Sequence, residues 1–346
     1  MRKFAAIFVV FFVQCTHLYS LAQARAEPDP GVVEYLKQSC VYGNSSYINV
    51  YLYNSRFQGK NLGNQQSCQD INASLPVVFI THGFTSSAQV STFKDLANAF
   101  VQKGHTAFIV DWSEAACTDG LPGVQFAEYN AAASNTYDIG QLMAKYTVDL
   151  MNKCKIPLNN IQYVGHSLGS HVCGFAAKHV KKLINKTMPY ILALDPADPS
   201  FGSNKCGERI CKSDAKRIVV FKTSILGIGE NIIGHLLIVF DGGKSQPACS
   251  WYDVPCSHSE SIVYATGMVS GRCQHLAVPW TAQQRINPIQ WKFWRVFTSN
   301  IPAYPTSDTT NCVVLNTNVF KNDNTFEGEY HAFPDCARNL FKCRQQ

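Results

Sequence analysis

The pentapeptide Gly165-His166-Ser167-Leu168-Gly169 constrains this chain most, because of what stands on either side of it. Ile161 to Gly165 is a short, mostly apolar run of the kind that fills a buried strand, and Ser170 to Val180 has the composition of a helix. Strand, tight turn and helix in that order form a nucleophile elbow, in which the glycines let the backbone lift the Ser167 hydroxyl above the sheet edge. The bland alternative is a strand-helix turn that contains a serine by chance, since G-x-S-x-G alone is a weak signal.

An elbow implies parallel strands beside it, and the sequence supplies them. Pro76 to Thr81, Thr106 to Asp111, Tyr190 to Leu194 and Ile218 to Phe221 are continuous apolar runs, as strands buried on both faces require. Ser46 to Tyr53 alternates polar and apolar residues and reads as a half-exposed antiparallel strand. Helical patterns lie between the strands at Thr92 to Lys103 and Asp138 to Asn152, the latter with Ile139, Leu142, Met143, Tyr146 and Leu150 on one face. The expected fold is α/β: an α/β-hydrolase arrangement, with a mostly parallel central sheet covered by helices on both faces.

A serine hydroxyl is a poor nucleophile at neutral pH and needs a histidine base, itself oriented by an acid. In this fold the chain order is serine, acid, histidine. Asp195 follows the run Tyr190 to Leu194 and precedes Pro196, which places a carboxylate at the carboxyl end of a strand; Asp198 and Asp214, in turn-forming stretches, are the competing acids. His258 lies downstream, beside Cys256 and ahead of the helical run Ile262 to Val269. His82 and His166 flank the glycines of the motif loops and read as braces. His171 and His179 fall on the helix after Ser167, and His105, His235, His275 and His331 have no catalytic context. An oxyanion hole is expected from the backbone N–H of Leu168, after the nucleophile, and of Phe84, in the loop that closes the strand Pro76 to Thr81. No zinc spacing accompanies these residues, so neither a metal nor a cofactor is expected.

Compartment follows from the ends and the cysteines. Residues 1–26 join Arg2 and Lys3 to the ten-residue apolar run Phe4 to Val13 and finish at Ala24-Arg25-Ala26, a secretory signal pattern half the length of a membrane span. Its removal takes the net charge from +6 to +3, too thin for a nucleic-acid footprint. Fourteen cysteines suit an oxidising compartment, so a secreted, extracellular chain is expected. Cys15 leaves with the signal and the thirteen others cannot all pair; Cys173, in an apolar helical stretch, is the expected free thiol. Cys206 with Cys211 and Cys249 with Cys256 are the two short pairs, while the remaining connectivity is not readable. Asn44, Asn72 and Asn185 head glycosylation tripeptides. The expected division is signal peptide 1–26, catalytic domain 27–300 and a cysteine-containing extension 301–346, too short for a separate lipid-binding domain.

With these motifs in place the chain resembles the pancreatic lipase family, and within it most closely the venom phospholipases A1 of wasps and hornets. The resemblance runs from about Cys40 to Pro302 through THGF (81–84), VDW (110–112), GHSLGSH (165–171), LDPADPSF (194–201), KCGERICKSDA (205–215), GKSQPAC (243–249) and CSHS (256–259). It implies the triad Ser167, Asp195 and His258. It also implies that two surface loops govern substrate choice, a disulfide-bounded lid, Ser250 to Pro255, and the loop Ser224 to Ile233. Both are short here, which by resemblance exposes the site to polar head groups and favours phospholipids. Trp251, Tyr252 and Val254 on the lid, with Ile225, Leu226 and Ile228 opposite, are candidates for contact with a lipid interface or for packing against the cleft rim. Asp198 stands where the family has glycine, Lys222 where it often has histidine, and the C-terminal cysteine pattern departs from the venom enzymes. The expected activity is release of the sn-1 fatty acid from a phospholipid. A triacylglycerol or galactolipid lipase is the alternative on the same machinery, and a yolk-type lipid-binding protein is the alternative of another class.

Overall fold

A computed structural model of the chain describes residues 45–119, 125–228, 233–279, 313–320 and 326–334. The expected signal segment and Asn44 lie outside the described residues. In chain order the strands are β1 (Asn49–Tyr53), β2 (Gln58–Asn61), β3 (Val77–Thr81), β4 (Thr106–Asp111), β5 (Ile161–His166), β6 (Met188–Leu194), β7 (Ala215–Lys222), β8 (Leu236–Phe240), β9 (His275–Pro279), β10 (Val313–Leu315) and β11 (Gly328–Phe333). The helices are α1 (Ser91–Gln102), α2 (Gln125–Cys154), α3 (Leu168–Ile184) and α4 (Val254–Ser270).

All the strands join one sheet in the order β10-β9-β11-β8-β7-β6-β5-β3-β4-β1-β2. Pairing is parallel from β4 through β3, β5, β6, β7 and β8 to β11, and antiparallel at both margins. The apolar runs obey the two-residue period of a strand buried on both sides. Val77 and Phe79 of β3, with Ile218 and Val220 of β7, enter the core beneath α2 and α3; Val78, Ile80, Val219 and Phe221 enter the one beneath α1 and α4. Each such fully buried side chain contributes on the order of 1.5–3 kcal/mol, which fixes the register against a one-residue slip.

Two differences from the sequence expectations have physical causes. Helix α2 begins at Gln125, well before Asp138, because its first turns carry polar residues and alanines without an apolar period. The second concerns 301–346, read from the sequence as a cysteine-containing extension: β11 lies parallel to β8 and antiparallel to β9, so the described part of this segment extends the central sheet. Arg217 of β7, buried in the sheet, donates to the Phe326 carbonyl and Tyr190 to that of Val319, tying this segment down.

Cys206–Cys211 and Cys249–Cys256 are bonded as expected, and Cys173 is free and buried. A third bridge, Cys68–Cys154, ties the turn before β3 to the end of α2. Cys117 and Cys273 are also disulfide-bonded. Asn72 is exposed, and Asn185 is an exposed left-handed C-cap of α3, so both sequons reach solvent.

Candidate active site

Sheet order assembles the site. The adjacent strands β5, β6 and β7 end on one edge, so the residues that follow them, Ser167, Asp195 and Thr223-Ser224, lie side by side; β3 delivers His82 and Gly83 on the other flank of β5. Cross-links at the edge hold them in step: Ser167 N–H donates to the Leu194 carbonyl at 2.9 Å, and Asp195 N–H to the Phe221 carbonyl at 2.7 Å.

Ser167 has φ 55° and ψ −125°, a backbone conformation that an L-residue holds only when its surroundings over-determine it. Close approach requires glycine on both sides of it. A Cβ at Gly165 would stand 2.3 Å from the Gly169 carbonyl oxygen, and one at Gly169 would stand 2.3 Å from that of Thr81. Leu168 is the first residue of α3, so its N–H has no acceptor within the helix and points out of the helix start.

Opposite, the loop after β3 is braced by the buried His82. Its Nε2 accepts from Trp112 N–H at 3.0 Å and its Nδ1 donates to the Gly83 carbonyl at 3.0 Å, while the indole of Trp112 donates to the His82 carbonyl at 2.8 Å. Asp111 lies 3.5 Å from His82 Nε2 and accepts Ser113 N–H at 2.9 Å and Ala88 N–H at 3.1 Å; burial raises its carboxyl, but these neighbours outweigh this and hold it at about 2. Gly83 thereby lies against Ser167, and Phe84 follows it with its ring edge-on to Tyr129.

Asp195 is fully buried, and His258 Nδ1 donates to its Oδ2 at 2.6 Å. Burial opposes ionisation here. The hydrogen bond and charge of His258, helped by the charge of Lys222, outweigh that cost and keep the carboxyl below its ordinary range. His258 sits in the second turn of α4 rather than ahead of the helix, and that turn is fixed twice: Asp253 caps Cys256 N–H at 3.0 Å, and the Cys249–Cys256 bridge closes the lid at the same point. The neighbouring His166 ring lies 4.4 Å from the His258 ring and donates through Nε2 to the His258 carbonyl at 3.1 Å. Burial, followed by the charge of His258, drives the His166 pKa down to about 3, so this ring packs as a neutral prop.

The competing residues lie elsewhere. Asp214 precedes β7 at the opposite edge of the sheet, caps a short turn through Cys211 N–H and pairs with Lys178. Asp198 is exposed in a turn closed on Gly202, and burial of part of its carboxyl raises its pKa. His171 donates to the Ala197 carbonyl at 2.8 Å and accepts from Ile210 N–H at 3.3 Å, so it braces the acid-bearing loop as a neutral ring.

Sequence reasoning missed Thr223, Ser224 and Gln246. Thr223 N–H and Ser224 N–H donate to Asp195 Oδ1 at 2.8 and 3.3 Å, and the Ser224 hydroxyl donates to Oδ2. Gln246, buried, donates to the carbonyls of Thr223 and Phe240 at 2.7 and 2.8 Å and accepts from Tyr264 of α4 at 3.1 Å. A signal for the first two exists: in a parallel sheet the residues after the strand that follows the acid fall beside the acid. Gln246 carries none, because its partners are set by tertiary packing.

On the lid, Trp251 and Tyr252 are 66% and 70% exposed, and on the loop after β7 Ile225 is 49% exposed. Val254 is half-buried at the start of α4, and Ile228 is buried in the core, so Ile228 has no part in an outer surface. Among the described residues one group has metal-ligand spacing, Cys249, Cys256 and Glu260, but its two sulfurs are joined to each other.

The Lipase family profile matches residues 51–288. This chain belongs to the Lipase family. The lipase-family chain is 36% identical over 321 residues to a phospholipase A1 of Dinoponera quadriceps, covering 90% of itself and 81% of that relative. It is 43% identical over 206 residues to a phospholipase A1 of Vespula maculifrons, covering 59% of itself and 69% of that relative. Strand order, elbow and family membership together make it an α/β-hydrolase-fold ester hydrolase.

Proposed function

We propose that this lipase-family chain is a secreted phospholipase A1 that releases the sn-1 fatty acid through an acyl-Ser167 intermediate. In this reading His258 removes the Ser167 proton as Oγ attacks the ester carbonyl, with Leu168 and Phe84 N–H groups holding the developing oxyanion. Collapse expels the glycerol oxygen, which takes the proton from His258, and a water activated by the same ring then hydrolyses the acyl enzyme. Asp195 holds the ring and offsets its charge in each half-reaction.

The observation that carries the choice of phospholipid is the lid: six residues, closed at their base by Cys249–Cys256, with little polypeptide to roof the site against a polar head group. Its exposed Trp251 and Tyr252, with Ile225 on the loop after β7, suit contact with a lipid interface, where an aromatic ring finds both an apolar and a wet side. The relatives named phospholipase A1 support the same activity. Secretion is supported by the disulfides and by the signal pattern in the sequence; among the described residues no helix is long and apolar enough to cross a membrane. Replacing Ser250 to Pro255 by a longer amphipathic segment tests the lid: the ratio of triolein to phosphatidylcholine hydrolysis rises, and an unchanged ratio contradicts its role.

A further inference from the structure

The turn that leaves β7 wraps the carboxylate of Asp195. Ser224 is fully buried, its N–H turns to Oδ1, and its hydroxyl turns to Oδ2, the oxygen that already accepts His258 Nδ1–H. Ser224 Oγ stands 3.4 Å from His258 Nδ1, so hydroxyl and ring converge on one acceptor. The direction of the hydroxyl bond is settled by its other partner: Oγ accepts Leu226 N–H at 3.1 Å, and the single hydroxyl hydrogen goes to the carboxylate. Lys222 closes the turn from inside. Its buried ammonium donates to the Ser224 carbonyl at 2.9 Å and to the Gly227 carbonyl, and a Cβ at Gly227 would stand 2.2 Å from Asp195 Oδ1.

We propose that Ser224 is a positioning residue of the catalytic machinery, which draws charge from the carboxylate oxygen facing His258 and so sets the basicity of that ring, and that Lys222 locks the turn holding it there. The proposal rests on reading Ser167, Asp195 and His258 as the triad. A donor on Oδ2 weakens the hold of that oxygen on the imidazolium, and a cation behind it acts in the same direction. Taking either away therefore strengthens the hold of the carboxylate on the protonated ring. The other titratable groups on the elements that meet at the site are unchanged in these variants: His166 at the end of β5, a neutral ring 4.4 Å from that of His258; His82 after β3; Asp198 after β6; and Glu260 on α4.

The test is the pH profile of kcat/KM on a water-soluble ester, p-nitrophenyl butyrate, so that choice of lipid does not enter, with folding checked by circular dichroism. Ser224→Ala is expected to move the acid limb to higher pH by roughly half a unit or more and to lower kcat about tenfold, with KM within about twofold. Ser224→Thr, which keeps a hydroxyl, is expected to restore the wild-type limb, and Lys222→Met to move it in the direction of Ser224→Ala. An unmoved limb in a folded Ser224→Ala, or the same displaced limb in the alanine and threonine variants, overturns the proposal by reducing Ser224 to packing. Should the alanine variant not fold, an unmoved limb in Lys222→Met overturns it. Undiminished hydrolysis by Ser167→Ala strikes instead at the triad reading, which separates the two failures.

Discussion

Gly83 lies so close to Ser167 that a Cβ at position 83 would stand 2.6 Å from the serine Cβ and 3.2 Å from its Oγ. The loop after β3 and the elbow after β5 thus meet without a side chain between them, as the proposed oxyanion role of Phe84 N–H requires. Gly83→Ala forces the two apart. Since one oxyanion donor is worth about 10²–10³ in turnover, kcat on a soluble ester is expected to fall by at least about 10², with KM little changed. Retention of wild-type kcat would remove this loop from the oxyanion site.

The 2.6 Å contact of His258 Nδ1 with Asp195 Oδ2 fixes the ring tautomer and leaves Nε2 free of a proton, as the proposed role of base requires. Asp195→Asn keeps the shape and offers an N–H in place of an acceptor. The expected loss in kcat is about 10⁴, with the fold intact by circular dichroism. A loss under about tenfold would mean that another acid orients His258.

Three buried rings make stability depend on pH. Burial lowers His166 and His171 to about 3 and His331 to about 4, against about 6.5 for an unfolded chain. The unfolded state therefore binds more protons below pH 6.5, and stability that is present above that pH is lost as the pH falls. Between pH 6.5 and 5.5 each ring is expected to cost about 1 kcal/mol. Asp198, Asp214 and Glu260, whose carboxyls burial raises, act in the opposite direction. Urea denaturation at the two values checks this; equal stabilities would contradict it.

The Cys68–Cys154 bridge spans 86 residues, including β3, α1, β4 and nearly all of α2. Replacing both cysteines by alanine is expected to cost about 2–5 kcal/mol, read as a lowered thermal midpoint. An unchanged midpoint would show that packing of α2 alone holds this region.

The sequence makes plain those features that are local. GHSLG between an apolar strand and a helix, Asp195 at the end of β6, and the two short cysteine pairs all announce themselves within a few residues. The contact between His258 and Asp195 bridges 63 residues, and its legibility came from the fixed order of the fold rather than from spacing. What stayed hidden depends on pairing across the sheet. β11 is short, closed on neither side by a periodic pattern, and gains its place from β8 and β9; Gln246 is a polar residue in a loop until Thr223, Phe240 and Tyr264 surround it. Lys222 is legible only as a departure from the histidine frequent in the family, and its ammonium is buried because two carbonyls of the next turn face it.

In the proposed reaction Ser167 cleaves the sn-1 ester of a phospholipid. The direct test incubates the chain with phosphatidylcholine carrying distinguishable sn-1 and sn-2 acyl groups, beside a triolein emulsion and a Ser167→Ala control. Release of the sn-1 acid with little triolein cleavage, abolished by Ser167→Ala, is the predicted result. Cleavage of triolein alone, or release of the sn-1 acid that survives Ser167→Ala, would contradict it.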